Sequence, residues 1–166
     1  MFVHERHHGD PTVPRLAGWW GTAADDRFAM DAGFAADAGA AGWKVSTPPI
    51  LSLVPLSASL AIFDAVGMPA LRARSIELTG YLESLLEGGG LELITPRDPA
   101  SRGAQLSVRF RTASIAEATL ERLAQAGVVA DFREPDIIRL APVPLYNTYV
   151  DCWRAAEILR DGSVDP

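Results

Sequence analysis

The sequence predicts an α/β fold in which a small sheet is covered by helices. Of its 166 residues, 48% are hydrophobic, which is enough for the core of one compact domain. Two patterns predict this class. One helical face is predicted by the 4-3-4-3 spacing of Leu71, Ser75, Leu78, Leu82 and Leu85. Residues 105–111 alternate between apolar and polar side chains, as in a half-buried strand.

Caps and helix-breaking residues bound the predicted helices. A first helix is predicted over residues 50–66, and Gly67 and Pro69 break and restart it. The glycines at 88–90 end the second helix. Two later helices begin at capping boxes, in which a hydroxyl side chain and an acid three residues on satisfy free amide groups. These pairs are Ser114 with Glu117 and Thr148 with Asp151.

The chain divides into two parts of different character. Residues 1–48 are rich in Gly, Ala, His, Pro and Trp and have weak periodicity. We therefore expect an irregular segment of loops and turns there, with one short helix near Ala23 to Met30. Residues 49–166 carry the regular patterns of a folded domain. Strands are predicted in this second part over residues 91–95, 105–111, 128–132 and 137–141.

Charge and composition argue against several classes of function. The formal net charge of −6 disfavours a nucleic-acid partner, because phosphate binding needs a basic face. No apolar run reaches the ~18 residues of a membrane span, and the first residues lack a signal-peptide pattern. Cys152 is the only cysteine and has no partner for an internal disulfide, which favours a reducing, cytoplasmic location. We expect neither a nucleic-acid nor a membrane partner.

His4, Glu5 and His8 fit the H-E-x-x-H pattern of zinc peptidases. That chemistry needs both histidines on one face of a helix, with the glutamate as base. Here the residues Gly9-Asp10-Pro11 follow at once, and the three histidines of the sequence all lie in this segment, so none remains as a third ligand. Polar loop histidines are the better interpretation, and we expect no metal site.

Two adjacent tryptophans, Trp19 and Trp20, lie between glycines in a polar, Ala-rich stretch. An exposed tryptophan is costly, and a buried indole N–H seeks an acceptor. The pair is therefore either a hydrophobic plug under a loop or an aromatic wall with an N–H donor in a pocket or interface. The residues alone leave both interpretations open.

Thr47 and Arg139 are candidate anion-binding residues. Pro48 keeps Thr47 extended, and Pro49 can begin a helix, so the hydroxyl suits a cap or a phosphate, with the cap favoured. Arg139 lies within the apolar strand 137–141. An arginine in that place either faces solvent or pairs with an anion, and its planar fork suits a carboxylate.

Nine segments, in family order, resemble the C-terminal part of the kynureninases, which are pyridoxal-phosphate (PLP) enzymes. They cover nearly the whole chain, and the GWWG and REPDIIRLAPVPLYN segments are the most specific. The matching segments are FVHERH (2–7), GWWG (18–21), RFAMD (27–31), STPPI (46–50), ASLAIFDAVGM (58–68), LTGYLE (78–83), ITPRDP (94–99), RGAQLS (102–107) and REPDIIRLAPVPLYN (133–147).

The resemblance implies the small C-terminal domain of a PLP fold-type I enzyme, with a mainly antiparallel sheet packed with helices. It implies a homodimer with active sites at the interface, acting in tryptophan catabolism. The implied reaction is the hydrolytic Cβ–Cγ cleavage of L-kynurenine or 3-hydroxykynurenine to L-alanine and an anthranilate, with PLP as the electron sink. By the match, Trp19 and Thr47 contact the cofactor phosphate. Trp20 lines the aromatic ring of the substrate, and Arg139 binds its α-carboxylate.

Three departures from the family pattern put activity in doubt. Thr47 stands where the family usually has asparagine, and Thr22 stands where it usually has a histidine near the substrate ring. The cofactor lysine of the family precedes the FVHERH segment, and the sole lysine here, Lys44, matches a different position. We therefore expect no catalytic residue in this chain, no covalently held PLP, and no activity without a complementing large domain.

Three functions compete at this point. The chain is part of a kynureninase that a lysine-bearing large domain completes. Alternatively, it is a non-catalytic module that keeps the small-domain fold for dimerisation or for carboxylate binding through Arg139. The third and weakest hypothesis is a zinc hydrolase that uses His4, Glu5 and His8.

Overall fold

The computed structural model describes residues 1–29 and 33–163, and for Ser163 the backbone alone. Two compact units are present, Met1–Ala61 and Ile62–Pro166. The boundary between them falls inside a long helix, α1, which spans Ile50–Val66. Each unit is described separately below.

The described residues of the first unit that precede α1 form short turns. Among them are 3-10 helices at Glu5–His7, Trp19–Gly21 and Gly39–Trp43, and an isolated antiparallel bridge joins Thr22 to Ala36. The described residues before 49 are thus mostly turns and loops, and the division of the chain at residue 48 stays a prediction.

The helix predicted near Ala23 to Met30 is wrong for residues 23–29, which form turns. The amides of Asp26 and Ala29 donate to carbonyls three residues back, at 3.1 and 3.0 Å, rather than to the i−4 carbonyls of an α-helix. Met30, and with it Asp31 of the RFAMD segment, lies outside the described residues.

Helix α1 has the predicted bounds but no buried side chain. Its apolar residues extend around the whole circumference, and Leu51 is 88% exposed. No single helix in the described ranges is long and apolar enough to cross a membrane. The helix pair 50–66 and 68–86 passes that test together, although it bends by 83° at the break.

Helix α2 spans Met68–Leu86 and begins after Gly67, whose φ of 83° is a conformation that suits glycine. The predicted helical face is confirmed, because its positions are buried apart from Leu85, which is partly buried. The buried side chains of this helix are Leu71, Ser75, Leu78, Thr79, Leu82 and Leu86.

A four-stranded antiparallel sheet lies in the second unit. Its strand order is β1-β2-β4-β3. The architecture confirms the predicted fold class, a small antiparallel sheet packed with helices. The strands are β1 (Glu92–Leu93), β2 (Leu106–Arg109), β3 (Asp131–Arg133) and β4 (Ile137–Leu140).

Strand alternation gives the sheet two different faces. Val108 and Ile138 are direct neighbours in the register and are fully buried in the core. On the other face, which we call the open face, Arg139 lies between Ser107 of β2 and Asp131 of β3. The hydrophobic pattern of β4 thus forces Arg139 away from the core.

Helix α3 spans Ala113–Gln125, and its cap differs from the prediction. Thr112, not Ser114, is the N-cap, because its side chain accepts a hydrogen bond from the amide of Ile115 at 3.3 Å. The extended backbone of Thr112, with φ −140° and ψ 156°, is the geometry that a cap requires. Ser114 lies inside the first turn, so the predicted capping box with Glu117 is wrong.

Helix α4 spans Tyr149–Ser163 and begins at the predicted pair. The amide and the hydroxyl of Thr148 both donate to Asp151, at 2.8 and 2.9 Å. These hydrogen bonds, led by the one from the backbone amide, lower the pKa of the Asp151 carboxyl. Near its end α4 approaches α3 closely, since a Cβ at Gly162 would lie 2.1 Å from Oγ1 of Thr119.

Replacement of Leu123 by alanine tests the core. Leu123 is fully buried on α3, so we expect Leu123→Ala to lower the free energy of unfolding by about 2–5 kcal/mol. The matched control is Val129→Ala, because Val129 is 98% exposed and its truncation should cost less than about 0.5 kcal/mol. Urea unfolding of the whole chain measures both, and equal effects would contradict this core.

Candidate functional site

The GWWG turn is held against the chain segment that follows the third 3-10 helix. A Cβ at Gly18 would lie 2.3 Å from the carbonyl oxygen of Val45, and one at Gly21 would lie 2.5 Å from that of Lys44. Real Cβ atoms do not come that close, so only glycine permits this approach of two backbones. The glycines that flank the tryptophans therefore set the position of Trp20 relative to residues 44–47.

Trp20 and Thr47 form a direct hydrogen bond. The indole Nε1–H of Trp20 donates to Oγ1 of Thr47 at 2.8 Å, across 27 positions of sequence. The acceptor that a half-buried indole seeks is therefore present. The family resemblance implies that Trp20 lines the substrate ring and that Thr47 contacts the cofactor phosphate, and the structure brings these two residues into contact.

Arg27 connects the same cluster, and sequence reasoning did not single it out. Its guanidinium lies 4.8 Å from the ring centroid of Trp20, within the range of a cation–π contact. Its Nη2 donates to the carbonyl oxygen of Thr22 at 3.0 Å and lies 3.8 Å from Asp37. The only signal in the sequence was the match of RFAMD to the family, which carried no role.

Thr22 turns its hydroxyl back toward the GWWG turn. Its Oγ1 donates to the carbonyl oxygen of Gly18 at 3.2 Å, and its backbone pairs with Ala36. Thr22 therefore lies beside the Trp20 and Arg27 pair, as its assignment to the same pocket requires. Its role toward a substrate remains a prediction.

Trp19 faces a different environment from Trp20. It is 48% exposed and packs edge-to-face on Phe28, with 5.5 Å between ring centroids. The two tryptophans thus present one solvent-accessible ring and one ring held between Arg27 and Thr47. Neither interpretation from the sequence fits both residues, because the Trp20 side chain contacts Arg27 and Thr47 whereas the Trp19 side chain is about half exposed.

Lys44 is exposed, and its carbonyl oxygen lies against the backbone of Gly21. Its backbone amide donates to Ala41 at 3.1 Å and closes the third 3-10 helix. The residue therefore has a visible structural role through its backbone.

Arg139 lies in the second unit, on the open face of the sheet. Its Nη2 forms an ion pair with Asp131 Oδ2, the residue directly opposite in the register. Its side chain is 28% exposed, and its Nε is buried without a hydrogen-bond partner among the described residues. Both alternatives from the sequence are realised, because Arg139 is on a partly solvated face and is paired with an anion.

The H-E-x-x-H segment does not have the geometry of a zinc peptidase. It forms a 3-10 helix of three residues, in which Nδ1 of His4 accepts from the amide of Arg6 at 3.2 Å. Nε2 of His8 is bonded to the carbonyl oxygen of Val3 at 2.8 Å. Within residues 1–29 and 33–163, no group of three or more His, Cys, Asp or Glu is arranged to hold a metal.

Comparison with known proteins identifies the family of this chain. The family model described as the kynureninase C-terminal domain matches residues 71–159, which include the whole sheet and Arg139. This chain belongs to the kynureninase family. The kynureninase of Salinispora tropica is 56% identical over 163 residues, and that of Myxococcus xanthus is 51% identical over 163 residues. Each alignment covers 96% of this chain but 38% of the relative, so the chain spans well under half the length of these kynureninases.

Solved structures share the fold. A C-DES mutant with glycine covalently linked to its PLP cofactor superposes with a TM-score of 0.68 and 18% identity, covering 89% of this chain and 38% of that one. The apo cysteine desulfurase of Thermococcus onnurineus gives a TM-score of 0.62 and 12% identity, covering 93% and 39%. At these identities the likeness shows the fold alone.

Replacement of Thr47 tests the contact that organises the GWWG turn. In Thr47→Val the indole N–H of Trp20 loses its acceptor, so its NMR signal should shift and its hydrogen exchange should accelerate. Because Thr47 is exposed, the cost in stability should stay near or below about 1 kcal/mol. Ser46→Ala is the matched control and should leave the Trp20 signal unchanged. An unaltered Trp20 signal in Thr47→Val would contradict the contact.

Proposed function

We propose that this chain forms the C-terminal, substrate-binding part of a kynureninase. The reaction would be hydrolytic Cβ–Cγ cleavage of L-kynurenine or 3-hydroxykynurenine to L-alanine and an anthranilate. The observation that carries the proposal is the place of Arg139, which the β4 alternation presents on the open face of the sheet within the matched family domain. The 166 residues would act in a homodimer or together with a chain that supplies the cofactor lysine.

Arg139 would hold the α-carboxylate of the substrate. A guanidinium presents two parallel N–H donors to a carboxylate, and the rigid sheet around Arg139 fixes their direction. The side chain combines partial exposure with a buried, unpartnered Nε, so donor capacity is left for a ligand. This arrangement gives orientation as well as affinity.

The first unit offers groups that fit the phosphate end of PLP. Oγ1 of Thr47 accepts the indole N–H of Trp20, and a hydroxyl that accepts one hydrogen bond still has its own O–H to donate. Thr47 could therefore replace the usual asparagine as a hydrogen-bond donor to the phosphate. Trp19, the chain neighbour of Trp20, presents an exposed indole. When bound, PLP would supply the electron sink for cleavage of the carbon–carbon bond.

The aldehyde of PLP has no lysine partner at the family's cofactor position in these 166 residues. Lys44 is the sole lysine, it corresponds to a different family position, and its backbone closes a structural turn. We propose that this polypeptide by itself neither holds PLP covalently nor turns over kynurenine. Trp20 and Thr22 would line the aromatic ring of the substrate. Cleavage of that substrate would depend on a cofactor lysine that a complementing chain supplies.

A second candidate is a non-catalytic dimerisation or carboxylate-binding module. The observation that favours it is α1, in which every residue is exposed although the helix is strongly apolar. Such a surface is typical of a protein interface. Carboxylate binding through Arg139 is common to both candidates, and kynurenine turnover separates them.

Complementation tests the catalytic proposal. The purified 166-residue chain with PLP should release no anthranilate, because no lysine lies at the cofactor position. Addition of a kynureninase large domain that carries the lysine should restore release, followed by anthranilate fluorescence. A large domain with that lysine replaced by alanine is the control. Turnover by the chain alone would contradict the proposal, and a failure of the complemented mixture would favour the module.

Arg139 has a specific test in the complemented enzyme. Arg139→Ala should weaken substrate binding by about 10- to 100-fold, the scale of a lost hydrogen bond to a charged group. Arg109→Ala is the matched control on the same sheet, since Arg109 pairs with Glu92 and Asp136. KM from initial rates measures both variants. Equal effects of the two substitutions would rule out a particular role for Arg139.

A further inference from the structure

Two arginines share one carboxylate on the open face of the sheet. Oδ2 of Asp131 pairs with Arg139 Nη2 and also lies 3.0 Å from Nη2 of Arg133. Asp131 and Arg139 are direct cross-strand partners, and Arg133 lies two residues along β3 on the same face. Two positive charges thus face one negative charge, so this group of three has a net charge of +1.

The other acids on this part of the sheet are committed to a different arginine. Arg109 lies 3.1 Å from Glu92 and 3.6 Å from Asp136. Among the ion pairs of the described residues, Asp131 is the acid that contacts Arg139. Asp131 is therefore the acid that Arg133 and Arg139 share.

The guanidinium of Arg139 is only partly used by Asp131. The ion pair engages Nη2, while Nε is buried with no hydrogen-bond partner among the described residues. An unpartnered buried donor is unfavourable, whereas a bidentate carboxylate engages two N–H groups at once. The side chains of Arg139 and Asp131 are 28% and 47% exposed, so solvent weakens their pair enough for a ligand to displace it.

We propose that Asp131 is an internal counter-ion that competes with the ligand for Arg139. Without ligand, the Asp131 carboxylate occupies Arg139. When the α-carboxylate of an amino-acid ligand binds Arg139, Asp131 retains Arg133 as its only partner. Asp131 thereby sets the affinity of the site and selects against ligands that lack a carboxylate. This inference rests on the proposed role of Arg139.

Two substitutions should change affinity in opposite directions. Asp131→Asn keeps the shape of the side chain but removes the competing charge, so carboxylate binding should tighten about two- to fivefold, the scale of a partly exposed ion pair. Arg133→Gln removes the alternative partner of Asp131, which then stays on Arg139, so binding should weaken severalfold. Asp136→Asn is the matched control, because that acid pairs with Arg109 and should leave affinity unchanged.

The experiment is an NMR titration of the 166-residue chain, observed at the Nε–Hε signal of Arg139. The probe is L-alanine, and L-alaninamide, which keeps the ammonium group but lacks the carboxylate, is the control ligand. Thermal unfolding of each variant shows that it is folded. Tighter binding of L-alanine by Asp131→Asn together with weaker binding by Arg133→Gln is the expected result.

The outcomes separate this inference from the role of Arg139 itself. If Arg139→Ala abolishes binding of L-alanine but Asp131→Asn binds no more tightly than the unsubstituted chain, the inference alone is overturned. If Arg139→Ala binds L-alanine as well as the unsubstituted chain does, then Arg139 does not bind the carboxylate, and the inference about Asp131 fails as well. If Asp131→Asn does not fold, unchanged or tighter binding by Arg133→Gln overturns the inference. A complete lack of Arg139-dependent binding in every folded variant also overturns it.

Discussion

The alternation of β4 is the constraint on which the candidate site in the second unit depends. Ile138 and Leu140 must enter the core, so Ile137 and Arg139 must face the other way. The pairing of β4 with β2 and β3 then fixes which groups lie beside Arg139, namely Ser107 and Asp131. A slip of one residue would bury the guanidinium and expose Ile138, which the core would not tolerate. The packing that stabilises the sheet therefore also positions the guanidinium of Arg139.

A different constraint organises the first unit, in whose described residues no sheet face or α-helix face is buried. There, close backbone approach at glycines replaces side-chain packing. Gly18 and Gly21 allow the GWWG turn to lie on residues 44 and 45, and the hydrogen bond from Trp20 to Thr47 follows from that approach. Arg27 then links the Trp20 ring to the backbone of Thr22. The replacement of asparagine by threonine at position 47 is compatible with this arrangement, because a hydroxyl can accept from the indole and donate to a phosphate.

Periodic features could be predicted from the sequence, and features set by tertiary contacts could not. The bounds of α1, the buried face of α2 and the cap at Thr148 and Asp151 follow from local patterns, and the structure confirms them. The cap of α3 was misplaced by two residues because Thr112 and Ser114 are both good capping residues, and only backbone geometry distinguishes them. The predicted short helix is absent from residues 23–29, because the amides of Asp26 and Ala29 bond to carbonyls three residues back, as in β-turns, and not four residues back. Arg139 was visible as an arginine in an apolar strand, whereas its ion pair with Asp131 depends on register, and the role of Arg27 depends on contacts within an irregular fold.

The proposed account divides the catalytic work in two: these 166 residues would bind the substrate and the cofactor phosphate, and the cofactor lysine, which they do not contain at the family position, would come from a complementing domain. The most direct test is to incubate the chain with PLP, reduce the mixture with borohydride, and map the modified peptide by mass spectrometry while measuring anthranilate. The account predicts no stoichiometric label on Lys44 and no product from kynurenine. Stoichiometric attachment of PLP to Lys44 together with anthranilate release would contradict it.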